Sequence, residues 1–171
     1  MTQVSRVFLG LGSNVGERLE YLSRAVGRIG QVASVRKCSS IYETEPVGMK
    51  NARPFYNMAI EIETTLTPQG LLENIKSIEV ELGRTPHTHM LPREIDIDIL
   101  LYGEEILRAD ALQIPHPELT ERRFVLEPLS EIADKIVHPV LQTSISAVLK
   151  DCRDKAAVRR TSLSLDNMQS L

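Results

Sequence analysis

The sequence predicts an α+β fold, with an antiparallel β-sheet covered by helices. Two observations lead to this prediction: short segments with strand periodicity, and two amphipathic helical stripes that lie between them. At 171 residues the chain can bury a substantial core without disulfides or a structural metal. We therefore predict one domain over residues 1–158, followed by a loose polar tail over residues 159–171.

The first half of the chain contains a strand, a helix and a second strand. Val4–Leu11 is short, rich in β-branched residues and followed by a Gly-Ser-Asn turn signal, which is typical of a buried strand. More strand-like sequence runs from Val32 to Tyr42. Between the two, a helix that ends near Gly30 is predicted, because apolar residues recur at three- and four-residue steps, at Leu19, Leu22, Ala25, Val26 and Ile29.

Residues 55–102 continue with a strand, a helix and a strand. Phe55–Thr65 alternates apolar and polar residues, which predicts a half-buried strand. Thr67 and Pro68 form a helix-start pair, and the helix is expected to end at Gly83. Its apolar stripe comprises Leu71, Leu72, Ile75, Ile78 and Leu82. Glu94–Tyr102 supplies the last strand of this set.

The resulting order, β-α-β-β-α-β, is that of ferredoxin-like domains. We expect the helices to pack on one face of the sheet and the active-site loops to lie on the other side. The sequence Arg122–Ala133 indicates one further helical segment.

Composition excludes several classes of partner. The chain has 20 Lys plus Arg and 23 Asp plus Glu, so no general attraction to nucleic acid or to a membrane surface is expected. Cys38 and Cys152 are far apart and form no C-x-x-C pair, which suits two ordinary thiols in a reducing compartment. No apolar run reaches the roughly 18 residues of a membrane helix, and no cleavage signature is present. We expect a cytoplasmic protein.

The segment PREIDIDILLYG, Pro92–Gly103, carries Asp96 and Asp98 within a strand pattern. Residues two apart on a strand project on the same side, about 6.5–7 Å apart at Cα. Two carboxylates at this distance repel each other unless a cation lies between them, and Mg²⁺ prefers such oxygen ligands. For an isolated D-x-D, a solvent-facing edge strand, where Asp discourages edge pairing, is the better explanation.

The context of the acid pair favours the metal interpretation. Arg84 and Arg93 lie at the two ends of the loop that precedes the strand, and guanidinium groups suit bidentate contact with phosphate. The same loop contains His87 and His89, whose spacing without a third ligand is a weak zinc signal. An ordinary solvated surface loop is the alternative.

Other polar and aromatic residues are candidates for ligand contact. His116 lies between two prolines and Arg122 follows it closely, while Phe55 and Asn57 lie two apart on a strand. An aromatic ring beside an amide that can both donate and accept hydrogen bonds would fit a planar heterocycle, although Phe55 fits a core position equally well. Gly10–Arg18 matches neither of the common glycine-rich nucleotide motifs.

Taken in order, several segments resemble one enzyme family, the 6-hydroxymethyl-7,8-dihydropterin pyrophosphokinases of folate biosynthesis. The resemblance covers roughly residues 5–140 and is most specific in P-R-x-x-D-x-D followed by I-P-H-P. The matching segments are FLGLGSNVGERL, SSIYETEPVG, FYNMAIEIET, IEVELGR, PREIDIDILLYG and IPHPELTERRFVLEPL.

This resemblance implies transfer of a pyrophosphoryl group from ATP to the hydroxymethyl oxygen of the pterin, with two Mg²⁺ ions held by Asp96 and Asp98. The residues that it implies for catalysis are Arg84, Arg93, Asp96 and Asp98. Those that it implies for ATP are Ile99, His116 and Arg122. Those that it implies for the pterin are Thr44, Glu45, Val47, Phe55, Asn57 and Phe124, and Glu79 is expected in the pocket region.

Two other classes of function remain alternatives. A non-catalytic ferredoxin-like module that senses a ligand would use the same sheet without needing the paired Asp. Another two-metal enzyme, such as a nucleotidyltransferase, would share Asp96 and Asp98 but would release a different product. We expect a monomer or a weak homodimer that binds small molecules, with no nucleic-acid or membrane partner.

Overall fold

A computed structural model describes residues 2–46, 48, 51–85 and 92–165. Within these residues the strands are β1 Ser5–Ser13, β2 Ser34–Cys38, β3 Tyr42–Thr44, β4 Phe55–Thr64, β5 Asp96–Tyr102, β6 Leu107–Arg108, β7 Gln113–Ile114, β8 Val137–His138, β9 Thr143–Ser144 and β10 Val158–Arg160. The helices are α1 Arg18–Ile29, α2 Pro68–Glu81, α3 Arg123–Ala133 and α4 Ile145–Asp151, with a 3₁₀ turn at Leu119–Glu121. No helix of the described residues has the length and apolar character needed to cross a membrane.

The main sheet is antiparallel, with β1 between β4 and β5. Beyond β4 lie β2 and β3, each paired with a different part of that strand. The order β5-β1-β4-β2 confirms the predicted α+β arrangement of a βαββαβ unit. The strand predicted from Val32 to Tyr42 is divided into β2 and β3, and Ser39 lies in the break, where its Oγ accepts a hydrogen bond from the backbone N–H of Ala59 (2.9 Å).

One face of the sheet is closed by α1 and α2. Both helices bury the apolar stripes that the spacing predicts, against alternate residues of the strands. The start of α2 is as predicted, since the Thr67 side chain accepts a hydrogen bond from the Gly70 N–H (3.1 Å) and Pro68 occupies the first turn. The buried residues of this core include Val7, Leu9, Leu22, Ala25, Ile29, Ile60, Ile62, Leu71, Ile75, Ile78, Ile97 and Ile99.

The other face of the sheet is covered in part by α3, against which α4 packs. Leu126 and Leu129 of α3 pack with Phe8 and Leu101 of the sheet. The further helical segment is confirmed as α3. The seven-residue helix α4 was not predicted, although its apolar residues Ile145, Val148 and Leu149 recur at three- and four-residue steps. The part of this face that α3 leaves uncovered forms a cavity.

The C-terminal segment is also more structured than the sequence predicts. The strand β10 pairs with β3, and Thr161 donates a backbone hydrogen bond to Ile41 O (2.9 Å). Leu165 is buried in the core on the α1 and α2 side. The tail predicted to be loose from Arg159 is therefore packed against the sheet as far as Leu165, because it completes an edge of that sheet, while residues 166–171 lie outside the described residues.

Candidate active site

A cavity of about 570 Å³ lies on the α3 side of the sheet. Its floor includes Gly10 and Gly12 of β1, which pair with Asp98 and Asp96 of β5. A Cβ atom at Gly12 would lie 2.6 Å from Asn57 Oδ1, and one at Gly10 would lie 3.3 Å from a Leu100 methyl carbon. The glycines therefore leave the space that side chains would fill on this face of the sheet.

The strand β5 directs its two carboxylates into this cavity. Asp96 and Asp98 line it, whereas Ile97 and Ile99 point to the core beneath α1 and α2. The pairing shifts after this point: Leu9 of β1 pairs with Ile99, and Phe8 pairs with Leu101. The intervening Leu100 is the extra residue of a β-bulge, so Leu100 and Leu101 both lie on the α3 side of the sheet, where Leu100 lines the cavity.

Both predicted loop arginines converge on Asp96. Arg93 Nη1 lies 2.5 Å from Asp96 Oδ2, and Arg84 Nη1 lies 3.1 Å from Asp96 Oδ1. Arg84 also forms an ion pair with Glu79, whose side chain is only 2% exposed and whose other oxygen lies 3.4 Å from Lys76 Nζ. Glu79 therefore positions Arg84, although Glu79 itself is buried and does not line the cavity.

The backbone of Arg93 is held by Asn14, a residue that the sequence analysis did not assign to the site. Asn14 donates its N–H to Arg93 O (3.0 Å), and its side-chain oxygen accepts from Arg93 N (2.7 Å). Arg93 Nε is buried and has no hydrogen-bond partner in the described part of the chain. The predicted turn Gly12–Asn14 was the available clue to Asn14, but β1 continues through Ser13 and the pattern gave no indication of the distant partner.

Asp98 lies beside His116, whose Nε2 is 3.9 Å from its Oδ1. His116 Nδ1 accepts a hydrogen bond from Glu118 N (3.2 Å), so in the neutral ring Nε2 carries the proton and faces the carboxylate. Burial raises the pKa of Asp98, and the Asp96 carboxylate adds to the rise, while His116, Arg122 and Lys76 oppose it. Although 52% of the Asp98 side chain is exposed, that surface faces the cavity, where protein atoms replace much of the water.

The other end of the cavity is lined by aromatic and amide groups. Phe55, Asn57, Thr44 and Phe124 all line it, together with Glu45. Asn57 Nδ2 donates to Thr44 Oγ1 (2.6 Å), and both residues are buried. This hydrogen bond fixes the orientation of the amide.

Arg122 connects this aromatic end with the acidic end. Its guanidinium carbon lies 5.6 Å from the centre of the Phe124 ring, and its side chain forms an ion pair with Glu118. The cavity therefore has a charged end and an aromatic end that meet at Arg122.

Three described residues that were predicted to contact the substrates do not line the cavity: Arg84, Ile99 and His116. Arg84 and His116 lie behind the lining, beside Asp96 and Asp98 respectively. The Ile99 side chain is 4% exposed and packs in the core beneath α1 and α2, so the side chain predicted to contact ATP points away from the cavity. The alternation of the strand explains this, because Ile99 follows Asp98 directly. Val47 lies outside the described residues, as do residues 86–91 of the loop, which include His87 and His89.

The donor set of the acid pair suits a hard divalent cation. Asp96 and Asp98 offer carboxylate oxygens on one side of a rigid strand. Among residues 2–46, 48, 51–85 and 92–165, no group of three or more His, Cys, Asp or Glu side chains is arranged to hold a metal ion. A cation held by the two Asp would therefore complete its shell with water and substrate oxygens, as Mg²⁺ commonly does in nucleotide enzymes.

An α+β sheet with carboxylates and arginines at one end of a cavity, and an aromatic slot at the other, defines a small phosphate-transferring enzyme. Residues 8–134 match the family model described as 7,8-dihydro-6-hydroxymethylpterin-pyrophosphokinase (HPPK). The chain belongs to this family.

Curated relatives agree with this assignment. A 2-amino-4-hydroxy-6-hydroxymethyldihydropteridine pyrophosphokinase of Aquifex aeolicus is 42% identical over 137 residues, which cover 80% of this chain and 86% of the relative. A protein of the same name from Bacillus subtilis is 48% identical over 131 residues, which cover 75% and 78% of the two chains.

Solved structures support the fold. The crystal structure of Plasmodium falciparum HPPK-DHPS, wild type with pteroate, has a TM-score of 0.73 at 16% identity and covers 88% of this chain. At this identity the likeness shows the fold alone. The match covers 44% of that longer chain, so this chain spans under half of its length.

Proposed function

We propose that this protein transfers the pyrophosphoryl group of ATP to the hydroxymethyl group of 6-hydroxymethyl-7,8-dihydropterin, with release of AMP, in folate biosynthesis. The observation that carries the proposal is that one cavity joins the Asp96 and Asp98 carboxylates to the slot formed by Phe55, Asn57 and Phe124. Phosphate chemistry and recognition of a flat heterocycle are thereby brought together.

Asp96 and Asp98 would hold two Mg²⁺ ions between them. Bound there, the ions would neutralise the charge of the triphosphate, which is the main requirement of phosphoryl-type transfer. The strand holds both carboxylates in place before any ligand enters, so little reorganisation is needed.

The arginines supply further positive charge. Arg84 and Arg93 already contact Asp96, so they lie within reach of phosphate oxygens bound at the acid pair. Glu79 and Asn14 hold these two arginines at the side chain and at the backbone respectively. His116 and Arg122 are assigned to the nucleotide on the side of Asp98, because both lie close enough to lower the pKa of the Asp98 carboxyl group.

The aromatic end is assigned to the pterin. Phe55 and Phe124 offer ring faces for stacking, and Thr44 and Glu45 lie at its polar edge with Asn57. Because Asn57 donates its amide N–H to Thr44, its side-chain oxygen is the group that can accept a hydrogen bond from a ring N–H. Val47 remains a prediction for this site.

The reaction needs no covalent intermediate. The hydroxymethyl oxygen attacks the β-phosphorus in line and forms the new O–P bond, while the bond from the β-phosphorus to the oxygen that bridges it to the α-phosphorus breaks. AMP leaves with that oxygen, and the hydroxyl proton is released. The contribution of the protein is to align the two substrates and to stabilise the charge.

Product analysis tests this proposal. The protein is mixed with ATP, Mg²⁺ and the hydroxymethyl dihydropterin, and we expect AMP and the pterin diphosphate in equal amounts. Formation of ADP, or release of free pyrophosphate as in a nucleotidyltransferase, would rule the proposal out. A binding module without catalysis would consume no ATP.

A further inference from the structure

One wall of the cavity comes from the C-terminal segment, Cys152–Asp154, which follows α4. Arg153 and Asp154 both line the cavity, although neither belongs to the residues that the family resemblance implies. No local pattern marks this segment, since it lies about 30 residues after Phe124 in the sequence.

The segment is fastened to the first turn of α3 by Arg123. Asp154 Oδ2 accepts a hydrogen bond from Arg123 N (3.0 Å), which caps the start of this helix. The Arg123 side chain donates to the carbonyl oxygens of Asp154 (2.8 Å) and Cys152 (3.4 Å), which flank Arg153. The backbone of Arg153 is therefore held next to the turn that carries Phe124.

Arg153 differs from the other arginines that line the cavity. Arg93 is paired with Asp96, and Arg122 is paired with Glu118. The exposed side chain of Arg153 makes no hydrogen bond or ion pair in the described part of the chain. Its guanidinium is available for a ligand, on a segment that Arg123 holds by two hydrogen bonds to backbone carbonyls and one to the Asp154 carboxylate.

We propose that Arg153 is a pterin-binding residue, an assignment that rests on the proposed function. Its backbone is tied to the aromatic end of the cavity, whereas the acidic end is already served by Arg84 and Arg93. A guanidinium can stack on a flat heterocycle and donate hydrogen bonds to a ring carbonyl, and a lysine reproduces neither the plane nor the fork. Arg153 thereby contributes to selection of the pterin rather than to phosphate transfer.

Steady-state kinetics of Arg153→Ala test the proposal. We expect the KM for the pterin to rise by ~10-fold, the scale of one lost hydrogen bond from a charged group, with the KM for ATP unchanged. Arg153→Lys should fall between the wild type and the Ala variant. The matched control is Arg24→Ala, an exposed arginine of α1 on the opposite face, which should leave both KM values unchanged.

Calorimetric titration of each protein with the hydroxymethyl dihydropterin provides a readout that does not depend on turnover. Weaker binding by Arg153→Ala, but not by Arg24→Ala, supports the proposal. Unchanged pterin binding and KM in Arg153→Ala overturn it, as does a rise in the KM for ATP alone. If the proposed function itself is wrong, the wild type binds no pterin and forms no AMP, and the assignment of Arg153 fails with it. That outcome is distinguishable from the two above, because in them the wild type binds pterin and forms AMP.

Discussion

The two faces of the central sheet differ sharply, although the same strands build both. Along β5, Ile97 and Ile99 pack beneath α1 and α2, while Asp96 and Asp98 face the cavity. Along β1, Leu9 and Leu11 belong to the same core, whereas Gly10 and Gly12 form the cavity floor. One face therefore supplies stability and the other supplies the site.

Neighbouring residues of one strand therefore have different roles: one packs in the core and stabilises the fold, and the next lines the cavity. On the face covered by α1 and α2, apolar burial contributes about 1.5–3 kcal/mol for each large side chain. On the cavity face, two carboxylates are held in proximity, and burial raises the pKa of Asp98. Substitutions on the two faces should consequently affect different quantities.

The largest effect is expected from the core face, at Ile99. Replacement by Ala should lower the free energy of unfolding by about 2–5 kcal/mol, because it leaves a cavity among packed side chains. The KM for ATP should stay unchanged, since this side chain points away from the site. Denaturant unfolding and steady-state kinetics measure the two quantities, and a large rise in the KM for ATP with normal stability would contradict this assignment.

The next effect concerns the cavity face, at Asp96 and Asp98. Replacement of either by Ala should lower the rate at least ~100-fold, the scale of losing a major electrostatic element, while the protein remains folded. Asp151→Asn, at an exposed site on α4, is the control and should retain full activity. A rate close to that of the wild type in either cavity variant would refute the metal-binding role.

Glycine substitutions sharpen the comparison further. In Gly12→Ala the new Cβ would lie 2.6 Å from Asn57 Oδ1, so Asn57 must move and its hydrogen bond to Thr44 is disturbed. We expect the KM for the pterin to rise by ~10-fold, consistent with loss of one well-aligned hydrogen bond. Gly27→Ala on α1 meets no atom within 4 Å and should raise the free energy of unfolding by up to about 1 kcal/mol, with activity unchanged.

The smallest effect is a dependence of stability on pH at Asp98. A carboxyl group whose pKa is raised by folding destabilises the folded state when it is ionised. The free energy of unfolding therefore falls as the pH rises from the unfolded-state pKa, about 3.9, through the folded-state pKa. Asp98→Asn should thus have a higher Tm than the wild type at pH 7 in the absence of ligands. The difference should shrink as the pH falls below about 4, because both states of the wild type are then protonated. If the Tm of Asp98→Asn at pH 7 equals or is lower than that of the wild type, the ionised Asp98 carboxylate does not destabilise the folded protein.

Much of this architecture could be predicted from local sequence. The alternation in Phe55–Thr65 and Glu94–Tyr102 predicted two strands, and the apolar stripes predicted α1 and α2. The structure confirms these elements and pairs both strands with β1. The same alternation indicated that Asp96 and Asp98 share a side. The order of the motifs indicated the family, which the match over residues 8–134 confirms.

Other features depended on contacts between distant parts of the chain. Asn14 meets Arg93 across 79 positions, and Arg123 meets Asp154 across 31. No local period encodes such pairs, because they form only when the strands and helices pack. The bulge at Leu100 and the strand β10 arise in the same way, from a partner strand elsewhere in the chain.

The sequence by itself determined which residues lie on each side of a strand, since side chains alternate with a period of two whatever surrounds them. Only the tertiary structure decided what covers each side. Packing of α3 and of the C-terminal segment left one side of β5 partly open and brought Arg153 to the edge of that opening. Long-range packing therefore determines the shape of the site, while the local sequence pattern determines which functional groups face it.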